Sequence, residues 1–282
     1  MFKFNFSDRD VSLDLPASLV KQGSVVPLPS KRINPEEIDD SIRSIIFSDC
    51  QVNIYRQGEH AVRYFSCEDI LRVLRTHGVS LPSLEADDDH SDLKSGIYEG
   101  GLKIWECTYD LISYMVVDDI DMKNKCVLDL GCGAGLVGLW CLLRGAACTF
   151  QDYNSDVVCN LTIPNVLLND GVILEKCAFF SGDWQSFTEL SERLNLTNSF
   201  DYIMTSETIY NVENYPKLHS VFEKMLKRTG QVYLAAKVHY FGVGGGLSLF
   251  EDYVRTKNVF KTSLSWQSVQ GVNRMILNIS FK

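Results

Sequence analysis

Short apolar runs alternate with amphipathic stretches over the C-terminal two thirds of the chain. Five apolar runs have the length of buried strands: 126–130, 147–151, 177–180, 201–205 and 231–237. Segments with helical spacing of apolar positions separate them, and two alternating runs, 260–265 and 274–282, close the chain. Strands that alternate with helices form parallel sheets. The pattern therefore predicts an α/β fold with a Rossmann-like, seven-strand, mainly parallel sheet and a C-terminal antiparallel hairpin.

The N-terminal part of the chain has a more mixed pattern. Residues 2–6 alternate Phe with polar residues, as in a short strand. Asn34, followed by a proline and two acids, is typical of a helix start. The runs 51–55 and 60–67 predict a β-hairpin, with a short capped helix after it. We expect a small α+β extension here.

A short acidic run over 85–92 separates the two patterns, and such a run is typical of a solvated linker. We therefore predict an N-terminal extension over 1–84, an acidic linker over 85–95 and the main domain over 96–282.

A glycine-rich turn follows the first strand of the alternating pattern. Residues 131–135 read Gly-Cys-Gly-Ala-Gly and lead into a helix, so backbone N–H groups can face a ligand. Counted from Gly131 the dinucleotide fingerprint is broken at Leu136, and counted from Gly133 it is formally met, so the glycines alone do not choose the cofactor. With Asp129 two positions ahead, the turn resembles the S-adenosylmethionine (AdoMet) loop of Rossmann-like methyltransferases more than a nicotinamide site. A buried turn that needs small residues is the alternative.

Polar and aromatic residues follow the next strands, at the sheet edge where ligands of open parallel sheets bind. Asp152 ends the second strand, where an acid can accept hydrogen bonds from ribose hydroxyls; a helix cap is its other possible role. Gly182, Asp183 and Trp184 follow the third strand, where a polar side chain and an aromatic face suit an adenine. Packing in the core is the alternative for Trp184.

Composition and net charge limit the classes of molecule that the chain is expected to bind. The chain has 282 residues, 45% hydrophobic and 22% charged, so most of it should be folded. Its formal net charge of −9 argues against nucleic-acid readout and against an anionic membrane surface, and favours a basic protein substrate.

Cysteine usage and the absence of leader-like patterns bear on the compartment. The nine cysteines contain no C-x-x-C pair, so we expect no disulfide framework and no metal site. Without a basic-then-apolar start or an 18-residue apolar run, we expect no membrane attachment. We expect a monomer in the cytoplasm, with the nucleus or nucleolus as the alternative compartment.

Several blocks of the sequence resemble the seven-β-strand protein-histidine methyltransferases, which modify a histidine of a large-subunit ribosomal protein. The blocks are 93–110, 127–135, 150–154, 205–211 and 235–246. The resemblance spans roughly residues 91–282. Related lysine methyltransferases have an acid-x-x-Tyr pattern after the fourth strand, and Glu207 and Tyr210 also fit that pattern. The blocks 104–108 and 235–246 therefore distinguish the resemblance to histidine methyltransferases from one to lysine methyltransferases.

The resemblance implies AdoMet as cofactor and implies that 104–108 contact it. Trp105 begins a helix, and its ring could cover the methionine arm or lie near the sulfonium; core packing is the alternative. The motifs and the resemblance together predict this cofactor site: Ile104, Trp105, Glu106, Cys107, Thr108, Asp129, Gly131, Cys132, Gly133, Asp152, Tyr153, Asn154, Gly182, Asp183, Trp184 and Ser206.

Histidine methylation makes modest chemical demands, because a neutral imidazole has a free lone pair at pH 7. The protein must orient that nitrogen and accept a hydrogen bond from the other ring N–H. We predict Glu207, Tyr210 and Asn211 as the catalytic residues, with Glu207 as the acceptor; a helix-start carboxylate is its alternative role. His239 and Tyr240 follow the fifth strand and are predicted to line the substrate entrance, although a histidine at a strand end is often structural.

The sequence therefore predicts an AdoMet-dependent protein-histidine N-methyltransferase acting on a large-subunit ribosomal protein, with an effect on ribosome assembly or translation. Three alternatives stay open: a lysine methyltransferase on the same fold, an NAD-dependent oxidoreductase, and a methyltransferase-like binding module without activity.

Overall fold

An eight-stranded sheet forms the centre of the computed structural model, which describes residues 28–79, 100–101, 103–241 and 244–282. The strands in chain order are β1 (Lys31–Ile33), β2 (Val52–Gln57), β3 (His60–Phe65), β4 (Cys126–Leu130), β5 (Ala147–Asp152), β6 (Cys177–Ser181), β7 (Phe200–Ser206), β8 (Leu226–Lys237), β9 (Phe260–Gln267) and β10 (Arg274–Phe281). The order across the sheet is β1-β6-β5-β4-β7-β8-β10-β9, and β2 and β3 form a separate antiparallel hairpin.

The predicted fold class is confirmed. Strands β6, β5, β4, β7 and β8 are parallel, whereas β10 is antiparallel to β8 and β9 is antiparallel to β10. The predicted count of seven strands is wrong by one, because β1 adds an antiparallel edge strand next to β6, with Arg32 opposite Phe180. A three-residue strand is too short to show an alternating pattern in the sequence.

Helices cover both faces of the sheet. They are α1 (Asp40–Asp49), α2 (Cys67–Thr76), α3 (Glu106–Val117), α4 (Leu136–Leu143), α5 (the consecutive stretches Ser155–Val157, Val158–Thr162 and Ile163–Leu167), α6 (Trp184–Arg193), α7 (Tyr215–Met225) and α8 (Leu247–Lys257). The middle stretch of α5 is π-helical. It ends two residues before Pro164, which has no N–H for a regular helical hydrogen bond, so the hydrogen-bond pattern of the helix is irregular at this point.

The N-terminal elements follow the sequence prediction in part. The β2–β3 hairpin and a helix capped by Ser66 are present as expected, since the Ser66 hydroxyl accepts the N–H of Asp69 at 3.3 Å. The helix start predicted at Asn34 is wrong, because only a 3-10 turn follows it. Helix α1 begins after Asp39, whose carboxylate accepts the N–H of Ser41 at 2.8 Å.

Two sequence predictions lie outside the described residues. They are the strand at 2–6 and the linker at 85–95. The domain boundaries therefore stay a prediction.

Each face of the sheet has its own hydrophobic core. In β4, Val127 faces the core shared with α1 to α5, and its neighbour Leu128 faces the core shared with α6 to α8. This alternation follows from the two-residue period of a strand and buries β4 on both sides. None of the described helices has the length and apolar character needed to cross a bilayer.

Two asparagines of α5 join the hairpin to the main sheet region. The Asn165 side chain accepts the N–H of Phe65 at 2.7 Å, and the Asn169 side chain accepts the N–H of Arg63 at 2.8 Å. Side-chain amides therefore satisfy the β3 edge where another strand would otherwise pair.

Candidate active site

The glycine turn after β4 adopts backbone conformations that side chains disfavour. Gly131, Gly133 and Gly135 have φ angles of 68°, 50° and 73°. A Cβ at Gly133 would lie 2.7 Å from the carbonyl oxygen of Gly101, and one at Gly131 would lie 2.7 Å from a methyl carbon of Thr208. Only glycine fits these positions, and the bare backbone of the turn lines a cleft at the carboxyl ends of the strands.

Asp129 lies behind this turn, outside the cleft wall. It is 3% exposed, and its carboxylate accepts the N–H of Gly138 in α4 at 2.8 Å. Burial raises the pKa of Asp129 to about 8. This hydrogen bond joins the end of β4 to α4 behind the turn, and the predicted contact of Asp129 with a cofactor stays a prediction.

Asp152 ends β5 and faces the cleft. One carboxylate oxygen accepts the N–H of Gly133 at 2.8 Å, and the other accepts the N–H of Asn154 at 3.3 Å. Burial raises the pKa of Asp152 to about 6. Tyr153 lines the cleft beside it, whereas Asn154 is buried at the start of α5.

The residues after β6 form the opposite wall. The Asp183 carboxylate caps α6 through the N–H of Gln185 at 2.8 Å and also lies 2.6 Å from Nζ of Lys217 on α7. The Trp184 indole donates to the Gln151 side chain at 3.0 Å, and the ring lines the cleft.

Gly182 has a different surrounding from the one predicted. It lies outside the cleft wall, with a φ of 116°, and a Cβ there would lie 2.5 Å from Cα of Ser30. The N-terminal segment that precedes β1 therefore packs directly on the turn after β6. The carbonyl of Leu28 also accepts the N–H of Asp183 at 3.0 Å.

The start of α3 forms the third side of the cleft. Ile104, Trp105 and Thr108 line it. Glu106 instead points outward, 3.6 Å from a guanidinium nitrogen of Arg274, and Cys107 is fully buried behind the wall.

Ser206 ends β7 and touches α3 across the cleft. Its hydroxyl lies 3.1 Å from the hydroxyl of Thr108, and both residues line the cleft. Cys132 also lines the cleft, and its backbone N–H donates to the Gln151 carbonyl at 2.9 Å.

Glu207 combines three unusual features. Its φ is 59°, a left-handed conformation that is uncommon outside glycine. The residue is 7% exposed and lines the cleft. Neither carboxylate oxygen has a hydrogen-bond partner among the described residues. A buried carboxylate that lacks a donor is costly, so this group is arranged to receive a donor from a ligand.

Of the other predicted catalytic and substrate residues, two line the cleft and two do not. Tyr210 and Asn211 line the cleft, and the Asn211 side chain accepts the N–H of Glu213 at 3.0 Å. Tyr240 packs edge-on against Tyr210, with ring centroids 6.4 Å apart. His239 is exposed, and neither it nor Tyr240 belongs to the cleft wall.

Sequence reasoning missed several wall residues: Gly100, Gly101, Lys103, Ala134, Leu136, Thr208, Glu213, Asn214 and Lys217. Most adjoin predicted residues in the sequence. Lys217 has no such signal, because its partner Asp183 is 34 residues away and only the packing of α7 beside α6 brings them together.

The sheet and its glycine-lined cleft define the class of protein. The chain is similar to a protein from Streptococcus mutans described as a SAM-dependent methyltransferase, with a TM-score of 0.53 and 12% identity over 81% of this chain and 55% of that protein. At this identity the likeness shows the fold, which is the Rossmann-like methyltransferase fold.

Sequence comparison gives the family. A family model described as Lysine methyltransferase matches residues 88–241. The histidine protein methyltransferase 1 homolog of Bos taurus is 45% identical over 219 residues, which is 68% of this chain and 58% of that protein. Histidine protein methyltransferase 1 of Schizosaccharomyces pombe is 32% identical over 244 residues, covering 69% of this chain and 70% of that protein. The chain belongs to this family of histidine protein methyltransferases.

The predicted family is thereby confirmed. The chain spans 58% of the length of the Bos taurus relative.

Proposed function

We propose that the chain is an AdoMet-dependent protein-histidine N-methyltransferase whose substrate is a basic protein of the large ribosomal subunit. The observation that carries the reaction is the Glu207 carboxylate, buried in the cleft wall with no donor among the described residues. It lies at the end of β7, next in the sheet to the strand that carries the glycine turn.

Several independent features of the cleft support the binding of AdoMet. The glycine turn leaves bare backbone, and a Cβ at Gly131 or Gly133 would fill the cradle. Asp152 would accept hydrogen bonds from the ribose hydroxyls, and Asp183 with Trp184 would hold the adenine. Trp105 and Ser206 would lie along the methionine arm.

When bound, AdoMet would supply a methyl group on a sulfonium; the lone pair of a neutral imidazole nitrogen would take that methyl, and the C–S bonding electrons would return to sulfur. Glu207 accepts the N–H of the other ring nitrogen, which selects the tautomer and holds the attacking nitrogen in line. The methylated ring carries one positive charge until that second nitrogen releases its proton, and the same carboxylate takes the proton and passes it to water.

The substrate class rests on charge and on the family resemblance. The chain carries a formal net charge of −9, which attracts a strongly basic partner. The substrate is methylated either as a free protein in the cytoplasm or as part of a pre-ribosome in the nucleolus. Its methylation would affect ribosome assembly or translation.

The test uses purified protein, radiolabelled AdoMet and an extract of cells from which this enzyme has been removed. We expect a single basic ribosomal band, whose acid hydrolysate contains methylhistidine. Gly131→Ala should abolish the label, because a Cβ there meets Thr208.

A lysine methyltransferase is the second candidate, since the matching family model is described as Lysine methyltransferase. Methyllysine in the hydrolysate would establish it and overturn the histidine proposal. Binding of AdoMet without any label in the extract would contradict both candidates.

A further inference from the structure

A cation lies beside the Glu207 carboxylate. Nζ of Lys237 is 3.7 Å from Oε1 of Glu207, with the two side chains 20% and 5% exposed. The register of the parallel strands explains the pairing, because Ser206 at the end of β7 lies opposite Ala235 near the end of β8. At 3.7 Å the ammonium compensates the charge of Glu207 and leaves its oxygens open to another donor.

Trp105 holds this ammonium from the other side. Lys237 Nζ lies 5.1 Å from the centre of the Trp105 ring, within the range of a cation–π contact. The indole N–H donates to the carbonyl of Gly100 at 3.2 Å, which fixes the ring. Nζ of Lys103 lies 4.7 Å from the same ring, so positive charge surrounds this part of the cleft.

Two uncharged groups of the described residues also face Glu207. The Cys107 thiol approaches from α3 and the Tyr240 hydroxyl from the loop after β8. Burial, together with the charge of Glu207, raises the pKa of both groups above their ordinary values. The Tyr240 oxygen accepts the backbone N–H of Lys237 at 3.3 Å, which ties this ring to the end of β8.

The nearby guanidinium of Arg274 is already paired. It donates to the Asp110 carboxylate at 2.5 Å and lies 3.6 Å from Glu106. Lys237 is therefore the cation that compensates Glu207 within the described part of the cleft.

We propose that Lys237 is a positioning residue that makes the acceptor pocket select a neutral imidazole over a lysine ammonium, an inference that rests on the proposed function. A buried carboxylate without a counterion attracts a cation or takes up a proton. Paired with Lys237, the Glu207 carboxylate acts as a hydrogen-bond acceptor for an uncharged N–H. An incoming ammonium would instead meet the like charges of Lys237 and Lys103.

The experiment compares Lys237→Met, which removes the charge and keeps the aliphatic stem, with Lys237→Arg, which keeps the charge. Lys227→Met is the matched control, because Lys227 lies at the opposite end of β8 and pairs with Asp201 at 2.8 Å. Each protein is incubated with radiolabelled AdoMet and the same acid-extracted basic proteins, and the hydrolysate is resolved into methylhistidine and methyllysine.

We expect Lys237→Met to lose at least about tenfold in the ratio of methylhistidine to methyllysine, which corresponds to about 1.4 kcal/mol. Lys237→Arg should stay within about threefold of wild type in this ratio. The control should match wild type. An unchanged ratio in Lys237→Met, or the same loss in the control, would overturn the inference.

A further measurement separates positioning from a merely structural role. The dissociation constant for AdoMet, measured by calorimetry, should change less than threefold. A large loss of AdoMet affinity would assign Lys237 to the cofactor site instead.

A thermal readout tests the charge pair without any activity. Lys237→Met should lower the melting temperature by about 4 °C, and adding Glu207→Gln should restore most of it, because no buried charge is then left unpaired. Additive losses in the double variant would contradict the pairing. If the wild-type protein makes no methylhistidine, the proposed function is wrong, and the proposed role of Lys237 in substrate selection is wrong with it.

Discussion

The carboxylate of Asp152 accepts a hydrogen bond from the backbone N–H of Gly133 at 2.8 Å. The acid that ends β5 thus holds the glycine turn that follows β4, its neighbour in the sheet. Burial raises the pKa of this carboxyl to about 6. Its protonation therefore changes within a pH range where the protein can be studied, and it affects both the turn and the group expected to hold the ribose.

We expect AdoMet to bind more tightly as the pH rises from 5 to 7.5. Ribose hydroxyls donate to the ionised carboxylate, so below a pH of about 6 binding must first displace a proton from Asp152. The affinity should fall by up to tenfold per pH unit on the acidic side. Calorimetric titration of wild type and Asp152→Asn measures this, and an equal pH slope in the variant would contradict the assignment.

Replacing Glu207 by glutamine should reduce kcat by about 10²- to 10⁴-fold, the usual range for a lost general acid–base group. AdoMet affinity should stay within threefold, since the proposed role of Glu207 concerns the acceptor side. The melting temperature of the variant should stay within a few degrees of wild type, because the gain from removing a buried carboxylate without a hydrogen-bond donor is offset by leaving Lys237 unpaired. A slower enzyme with a much lower melting temperature would indicate that Glu207 serves the fold.

Gly133→Ala and its control Gly58→Ala test whether the glycine turn at 131–135 must be free of side chains to bind AdoMet. Both glycines have left-handed φ angles, 50° and 59°, but a Cβ at Gly133 meets the Gly101 carbonyl at 2.7 Å, and one at Gly58 meets nothing within 4 Å. Gly58→Ala should cost about 1 kcal/mol in unfolding free energy. Gly133→Ala should cost more and weaken AdoMet binding at least tenfold. Chemical denaturation and calorimetry on the two variants test this, and equal effects would argue against the cradle.

The strands and the cleft were predictable from the sequence because their signals are local. Buried parallel strands are continuous apolar runs, and the residues that follow them meet at one edge, which is why Asp152 and Glu207 can be chosen from the sequence. The surroundings of Gly182 could not be predicted, because they depend on the packing of Ser30 from a segment without a clear pattern. The pairing of Lys217 with Asp183 is likewise a product of helix packing, which leaves no trace in spacing along the chain.

We expect the free energy of unfolding to fall at mildly acidic pH because of the buried side chain of His219. It is 4% exposed, between the rings of Tyr253 and Phe260, and its Nε2 has no hydrogen-bond partner among the described residues. Burial lowers the pKa of His219 below its ordinary value of 6.5. The unfolded chain therefore takes up a proton that the folded protein resists, and stability falls as the pH drops from about 6.5 towards the folded-state pKa, by at most about 1.4 kcal/mol per unit.

Urea unfolding of wild type and His219→Phe at pH 7.5, 6.5 and 5.5 measures this effect. Phenylalanine keeps an aromatic ring between Tyr253 and Phe260 and cannot titrate. The difference in unfolding free energy between the two proteins should shift in favour of the variant as the pH falls. Parallel pH profiles would show that the pKa of His219 is the same in the folded and the unfolded protein, which would contradict the prediction.

The side-chain amides of Asn165 and Asn169 on the β3 edge have a consequence for how the chain is made. A two-stranded hairpin is marginal by itself, and these partners of Phe65 and Arg63 stand 100 and 106 residues further along. During synthesis the hairpin leaves the ribosome well before the residues that complete its edge. This early part of the described chain therefore matures late, and until α5 has been synthesised its β3 edge is open to chaperones and to other nascent chains.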